Sequence, residues 1–230
     1  MLNENPFFSN DKQEIAILID PDKFSKDNTE ALKKISDKLS PSYFFVGGSY
    51  MEKGNLDVSV RILKAHFDLP VIIFPGDHAQ ISPSADAILF LSLLSGRNPE
   101  YLIGQQVKAA PAVKKSGLKV IPTAYLLVDG GKITTVQYVT GTLPLPADKP
   151  GLIAATALAG QYMGMQAVYL EAGSGAVNHV PETVVQHVRN EVDIPIIVGG
   201  GITTPQQMEG LFKAGANLVV LGTSIENMFH

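Results

Sequence analysis

The segment Tyr169-Leu170-Glu171-Ala172-Gly173-Ser174-Gly175 is the part of this chain densest in groups that can do chemistry. Side chains two apart on a strand share a face, so Tyr169 and Glu171 bring a phenol and a carboxylate to one side. Such a carboxylate accepts hydrogen bonds from the hydroxyls of a small polar ligand, or takes a proton from one of them as a general base. Gly173, Ser174 and Gly175 add N–H donors and a hydroxyl. Two runs nearer the C-terminus, Ile196-Ile197-Val198-Gly199-Gly200-Gly201-Ile202 and Leu218-Val219-Val220-Leu221-Gly222-Thr223, are apolar and stop at small residues. Glycines there let backbone N–H groups approach a ligand that a Cβ would hold off. Asp20 and Asp22, in Ile19-Asp20-Pro21-Asp22-Lys23, and Ser49, in Val46-Gly47-Gly48-Ser49, offer oxygens. A carboxylate at one strand end and a hydroxyl at the next suit Mg²⁺, which keeps several waters and bridges carboxylate to substrate phosphate. Asp20 before Pro21 equally fits the start of an Asx-type turn. Asp77, His78, Thr123 and Tyr125 complete the polar residues at strand ends. The five histidines show no metal-ligand spacing, and no G-x-S-x-G nucleophile elbow occurs.

These residues need elements that gather them. Apolar strand-like runs at Ile15 to Ile19, Tyr43 to Val46, Val71 to Phe74, Asp86 to Leu91, Val120 to Leu127, Ala167 to Leu170, Pro195 to Val198 and Leu218 to Leu221 alternate with helix-like stretches. Runs such as Pro195 to Val198, apolar on both faces and β-branched, read as buried parallel strands. Regular alternation of about eight strands with helices predicts a (β/α)₈ barrel, whose phosphate site lies after strands 7 and 8. The competing open doubly wound sheet needs a glycine loop after its first strand, and none is present. His78 to Ala85 is too short and proline-broken for a full helix, so the third barrel helix is expected to be missing. Asn98 and Pro99 predict a helix start running to about Lys115. Asp129-Gly130-Gly131-Lys132 before the strand-like Ile133 to Val139 predicts an extra β-hairpin after strand 5.

The chain has 230 residues, 45% of them hydrophobic and 17% charged, enough for one domain with a sizeable core. The expected domain is the whole chain, 1–230. A formal net charge of −4 opposes a nucleic-acid partner, which a basic face would recruit. The absence of cysteine excludes disulfides and thiolate metal sites. Met1 to Lys12 lacks the pattern of a secretory signal, and no apolar run approaches the ~20 residues of a membrane span. A cytoplasmic protein, with at most transient contact with a membrane surface, is expected.

The motifs Ile19-Asp20-Pro21-Asp22-Lys23, Val46-Gly47-Gly48-Ser49, Tyr169 to Gly175, Val198-Gly199-Gly200-Gly201-Ile202 and Val220-Leu221-Gly222-Thr223 stand in the order found in the geranylgeranylglyceryl phosphate synthase family. Leu91-Ser92-Leu93-Leu94-Ser95-Gly96-Arg97-Asn98-Pro99 also resembles the family's segment after strand 4. The resemblance runs from Ile15 to Thr223 and is closest to the subgroup with the Ile-Asp-Pro-Asp-Lys signature, which includes bacterial relatives such as heptaprenylglyceryl phosphate synthase. It implies a modified barrel whose third helix is an irregular, mobile segment. It implies transfer of an isoprenyl group, from geranylgeranyl diphosphate or a similar long isoprenyl diphosphate, to the 3-hydroxyl of sn-glycerol 1-phosphate. By the same resemblance Asp20 and Ser49 hold Mg²⁺ and Glu171 acts on the glycerol hydroxyls. Tyr169, Leu170, Glu171, Ala172, Gly173, Ser174 and Gly175 hold glycerol phosphate, and Gly200, Gly201, Gly222 and Thr223 hold its phosphate. Catalytic roles fall to Glu171 and Asp20. Family members commonly carry Asn where this chain has Thr223, and some carry Lys where it has Leu18. Candidate walls for the tail are Phe74, Leu93, Ile121 and Tyr125. A homo-oligomer, dimer or hexamer, is also implied, with Tyr101, Leu102 and Ile103 either buried between subunits or packed on the barrel.

Two other readings suit the same scaffold, because fold does not fix function. One is a phosphosugar isomerase or aldolase-type barrel, though no strand core carries the lysine an aldolase needs. The other is a non-catalytic phosphate-binding barrel, which the intact Asp20, Glu171 and glycine ends oppose.

Overall fold

A computed structural model describes residues 7–222. Eight strands, β1 (Glu14–Ile19), β2 (Tyr43–Val46), β3 (Val71–Ile73), β4 (Ala87–Leu93), β5 (Lys119–Leu127), β6 (Ala167–Glu171), β7 (Ile196–Gly199) and β8 (Leu218–Leu221), close into a barrel in chain order. Every pairing is parallel, and β8 returns to β1 with Ala16 opposite Val220. The apolar runs are strands because both faces are buried. In β2, Phe44 and Val46 pack outward against helices, while Tyr43 and Phe45 fill the interior with Ile72, Leu89, Tyr169 and Ile197. Both sides of the wall are thus withdrawn from water, as a closed parallel sheet requires.

Seven α-helices surround the barrel among the described residues: α1 (Thr29–Leu39), α2 (Leu56–His66), α3 (Gln105–Ser116), α4 (Thr135–Thr140), α5 (Pro150–Tyr162), α6 (Glu182–Glu191) and α7 (Pro205–Lys213). The starts are chemically marked. Asn55 Oδ1 accepts the Val58 N–H at 3.1 Å, and Thr204 and Gln207 form a capping box before Pro205. Asn98 does begin the helical stretch after β4, accepting the Glu100 N–H, but a π-helical turn (Glu100–Gly104) precedes α3. The segment that would follow Gly222 lies outside the described residues, as does Thr223.

Between β3 and β4 no helix forms, as the prolines there predict. The irregular segment is instead tied down by polar side chains. Buried Gln80 donates to the Gly48 carbonyl at 3.0 Å and accepts the Gly76 N–H at 3.1 Å. Ser82 donates to Asp57 at 2.6 Å, and Asp86 accepts the Val71 N–H at 2.7 Å while paired with Lys64.

The hairpin expected after β5 does not exist. Asp129 Oδ1 instead accepts the Gly131 N–H at 2.9 Å, and the Gly130 carbonyl accepts N–H groups from Val177 and Asn178. The β-branched stretch after it forms α4, with Val136 and Thr140 buried one turn apart and Tyr138 exposed. A closed barrel has no free edge to pair with a new strand. The only pairing in this region is the isolated parallel bridge Val128–Leu145. Burial of one helical face therefore overrides local β preference.

Candidate active site

β6 positions the chemistry. Alternation sends Tyr169 inward, where it is fully buried, stacked on Phe74 with ring centroids 4.8 Å apart and 16° between planes. Tyr125 lies 5.5 Å from Tyr169 on the neighbouring strand, opposite it in register. Two residues on, Glu171 reaches the top of the wall and remains buried. Its Oε1 accepts the Gly173 N–H at 2.6 Å. Burial pushes the carboxyl up to about 7, against the downward pull of the Gly173 N–H and the nearby Tyr169 hydroxyl. A carboxyl with this value can hold or release a proton near neutrality, as a general base or acid must. The Tyr169 hydroxyl is buried without a hydrogen bond of ordinary geometry, a donor prepared for a partner from outside the chain.

The glycine ends explain how the carboxylate fits. Gly200 has φ +82°, and a Cβ there would sit 2.3 Å from Glu171 Oε1 and 2.6 Å from the Gly173 nitrogen. A Cβ on Gly199 would sit 2.4 Å from the Tyr169 hydroxyl. Only glycine lets β7 close over the phenol–carboxylate pair.

Asp20 and Ser49 line the same cavity as Glu171, Gly173, Ser174, Gly175, Gly200, Gly201 and Gly222. Asp20 does form the Asx-type turn, its Oδ1 accepting the Asp22 N–H at 3.0 Å, while Oδ2 faces Lys23 Nζ at 3.0 Å. The turn leaves the carboxylate at the cavity, so the two readings of Asp20 are compatible. Asp22 is not part of the lining. Its carboxylate accepts N–H groups from Glu52, Lys53 and Gly54, which hold its pKa below the usual range and fasten the β1 loop to the β2 loop.

The cavity encloses about 440 Å³ and leaves the polar end along an apolar path. Phe74, Leu93 and Tyr125 are walls of it, as position predicts; Ile121 is not, being buried in the barrel interior below. The path continues past Leu91 to Ile88, Phe90, Ile81 and Ala109. Ile88, Phe90, Ile81 and Ala109 belong to the layer between wall and helices. Ile81 comes from the segment between β3 and β4, which contributes no helix, and Ala109 from α3, which packs on β4.

Several expectations are corrected. Leu170 and Ala172 point away from the cavity into the packing between wall and helices, since strand alternation gives every second residue to the other face. Thr123 is buried and donates to the Ile121 carbonyl at 2.9 Å, outside the lining. Of the three residues given either to a subunit contact or to packing on the barrel, Tyr101 lines the cavity, Leu102 packs on the core and Ile103 is exposed. Gln105, Gln106, Val136, Val139 and Thr203 line the cavity without having been singled out from the sequence. A capping signal at Asn98 locates the first two; nothing local marks α4 as a wall. Gln105 Oε1 meets the His78 ring and backbone N–H, both at 2.9 Å, and joins the irregular segment to α3. Among the described residues no cluster of three or more His, Cys, Asp or Glu could hold a metal alone.

Residues 10–230 match the PcrB family. The chain is 49% identical to a geranylgeranylglyceryl phosphate synthase of Zunongwangia profunda, over 94% of this chain and 92% of that protein. It is 48% identical to the protein of the same name from Pyrococcus furiosus, over 92% of this chain and 84% of that one. A crystal structure of (S)-3-O-geranylgeranylglyceryl phosphate synthase from Thermoplasma acidophilum in complex with substrate sn-glycerol-1-phosphate superposes with a TM-score of 0.87 at 41% identity, covering 95% of this chain and 88% of that one.

Proposed function

Because the chain belongs to the PcrB family, we propose that it is a prenyltransferase joining a long isoprenyl diphosphate, such as geranylgeranyl diphosphate, to the 3-hydroxyl of sn-glycerol 1-phosphate. The products are a prenylglyceryl phosphate ether and diphosphate. The observation that carries the reading is one cavity with two ends: a buried carboxyl among glycine strand ends, and an apolar path over β4.

Glycerol phosphate takes the polar end. Backbone N–H groups of Gly200, Gly201 and Gly222 receive its phosphate, as strand ends 7 and 8 of such barrels do. Ser174, Gly175 and the Tyr169 hydroxyl complete the polar surroundings. Glu171 accepts a hydrogen bond from the 3-hydroxyl, turns its oxygen toward the isoprenyl C1, and takes its proton as the C1–O(glycerol) bond forms. The bond from C1 to diphosphate oxygen breaks in the same process, and the electron pair leaves with the diphosphate. Phe74, Leu91, Leu93 and Tyr125 hold the tail and keep water from the electron-poor carbon.

Asp20 and Ser49 fit Mg²⁺: the two together offer one carboxylate and one hydroxyl at the cavity, so most ligands would come from diphosphate and water, the arrangement this ion favours. When bound, the ion neutralises charge on the departing diphosphate. Lys23 beside Asp20 adds a further positive charge.

Diphosphate release by the purified protein with Mg²⁺, isoprenyl diphosphates of several lengths and each glycerol phosphate enantiomer tests the reading. Release with sn-glycerol 1-phosphate and not with the 3-phosphate is expected. No release with any tail from well-folded protein refutes it.

A further inference from the structure

We propose that the face of the barrel around the cavity opening is a docking surface for a lipid bilayer. The excursion between β5 and α5 carries Ile133, Tyr138 and Leu143, which are 74%, 84% and 79% exposed. Val177, also exposed, joins them from the β6 loop, its Cβ 3.5 Å from where one on Gly131 would lie. Large apolar side chains so exposed along one excursion at the mouth mark an interaction site.

What they contact follows from continuity with the cavity. Val139, on the same excursion, is both exposed and part of the cavity wall, and so is Tyr50 across the opening on the β2 loop. The apolar lining inside therefore reaches the outer rim at Val139 and Tyr50. On the prenyltransfer reading, on which this inference rests, the occupant of that path is a long isoprenyl chain. Such a chain stays in a bilayer, because every methylene withdrawn into water opposes its release. A rim that meets the bilayer lets the tail pass from lipid to cavity without crossing water. The two loops also carry exposed Lys53 and Lys132, neither with a salt-bridge partner among the described residues, and exposed Glu52 and Asp129. Lysines flanking apolar side chains suit anionic headgroups. No helix of the described residues is long and apolar enough to cross a membrane, so the contact is superficial.

The test is flotation of the full chain with vesicles of phosphatidylcholine and phosphatidylglycerol, in the absence of either substrate. The unaltered protein is expected to float with the vesicles. The triple variant Ile133→Ser, Tyr138→Ser, Leu143→Ser is expected to lose at least tenfold in partitioning. It should keep its melting temperature, because none of the three is buried. Unaltered protein that stays with the dense fraction, or a triple variant that floats equally, overturns the proposal. So does loss of a dimer in the triple variant by sedimentation velocity, since the face then covers a second copy of the chain. Flotation needs no turnover, so failure of the prenyltransfer reading appears separately, as absence of diphosphate release.

Discussion

Replacing Glu171 by Gln keeps the shape of the side chain and its acceptor for the Gly173 N–H, and removes the charge. The folded carboxyl lies at about 7 against an ordinary 4.5, because burial disfavours the anion. At about 1.36 kcal/mol for each pH unit, this difference of about 2.5 units corresponds to roughly 3 kcal/mol. Its sign follows from proton binding: between pH 4.5 and 7 the folded state holds more of this proton than the unfolded state. Stability is therefore lost as pH rises through that window, and the full cost is present above pH 7. The Gln variant is free of it. Its melting temperature, taken relative to the unaltered protein, should rise between pH 4.5 and pH 8 by roughly 6–12 °C, at about 2–4 °C per kcal/mol for a chain of this size. In the same variant turnover should fall by about two to four orders of magnitude, the range a positioned general base contributes. Thermal unfolding of both proteins across pH, with initial rates of diphosphate release, measures both effects. A melting difference that does not change with pH would refute the claim that the buried carboxyl titrates near 7. Near-normal turnover would remove Glu171 from the mechanism.

Gly200→Ala should abolish turnover and lower the melting temperature, since its Cβ would displace both Glu171 Oε1 and the Gly173 nitrogen; an active, unshifted variant would disprove that close approach. Tyr169→Phe should alter stability by no more than about 1 kcal/mol, because the hydroxyl has only Glu171 beside it and no hydrogen bond of ordinary geometry, while the KM for glycerol phosphate rises. An unchanged KM would remove the phenol from the binding site. Gln80→Leu should release Gly48 and Gly76 and raise the KM for isoprenyl diphosphate more than that for glycerol phosphate, because the loop it holds carries Ser49. Steady-state kinetics with each substrate varied in turn decides this, and equal changes in both would make Gln80 merely structural. The rate profile of the unaltered enzyme should fall below about pH 7 as Glu171 is protonated, and a profile flat to pH 5 would contradict its role as base.

Local sequence was enough for the barrel and for most of the polar residues that meet in its cavity. Runs apolar on both faces can be buried only in a wall packed on both sides, so eight of them in alternation with helices leave few architectures. Tyr169 and Glu171 were legible as a pair because strand periodicity is two, and the glycines because their runs end without side chains. The missing third helix was legible from the shortness of His78 to Ala85 and from Pro83 within it, which local sterics keep out of a helix interior. What lay beyond local reading depended on partners distant in sequence. Whether Ile133 to Val139 pairs as a strand or folds as α4 was decided by the absence of a free edge on a closed barrel. Whether Asp22 faces a ligand or three N–H groups was decided by the path of residues 52–54, about thirty positions away. Which half of Leu170-Glu171-Ala172 sees the cavity, and that Glu171 is withdrawn from water far enough to titrate near neutrality, follows from the walls packed around β6. A side chain's type is written in the sequence, but its solvation is set by everything folded around it, and solvation is what raises this carboxyl to about 7.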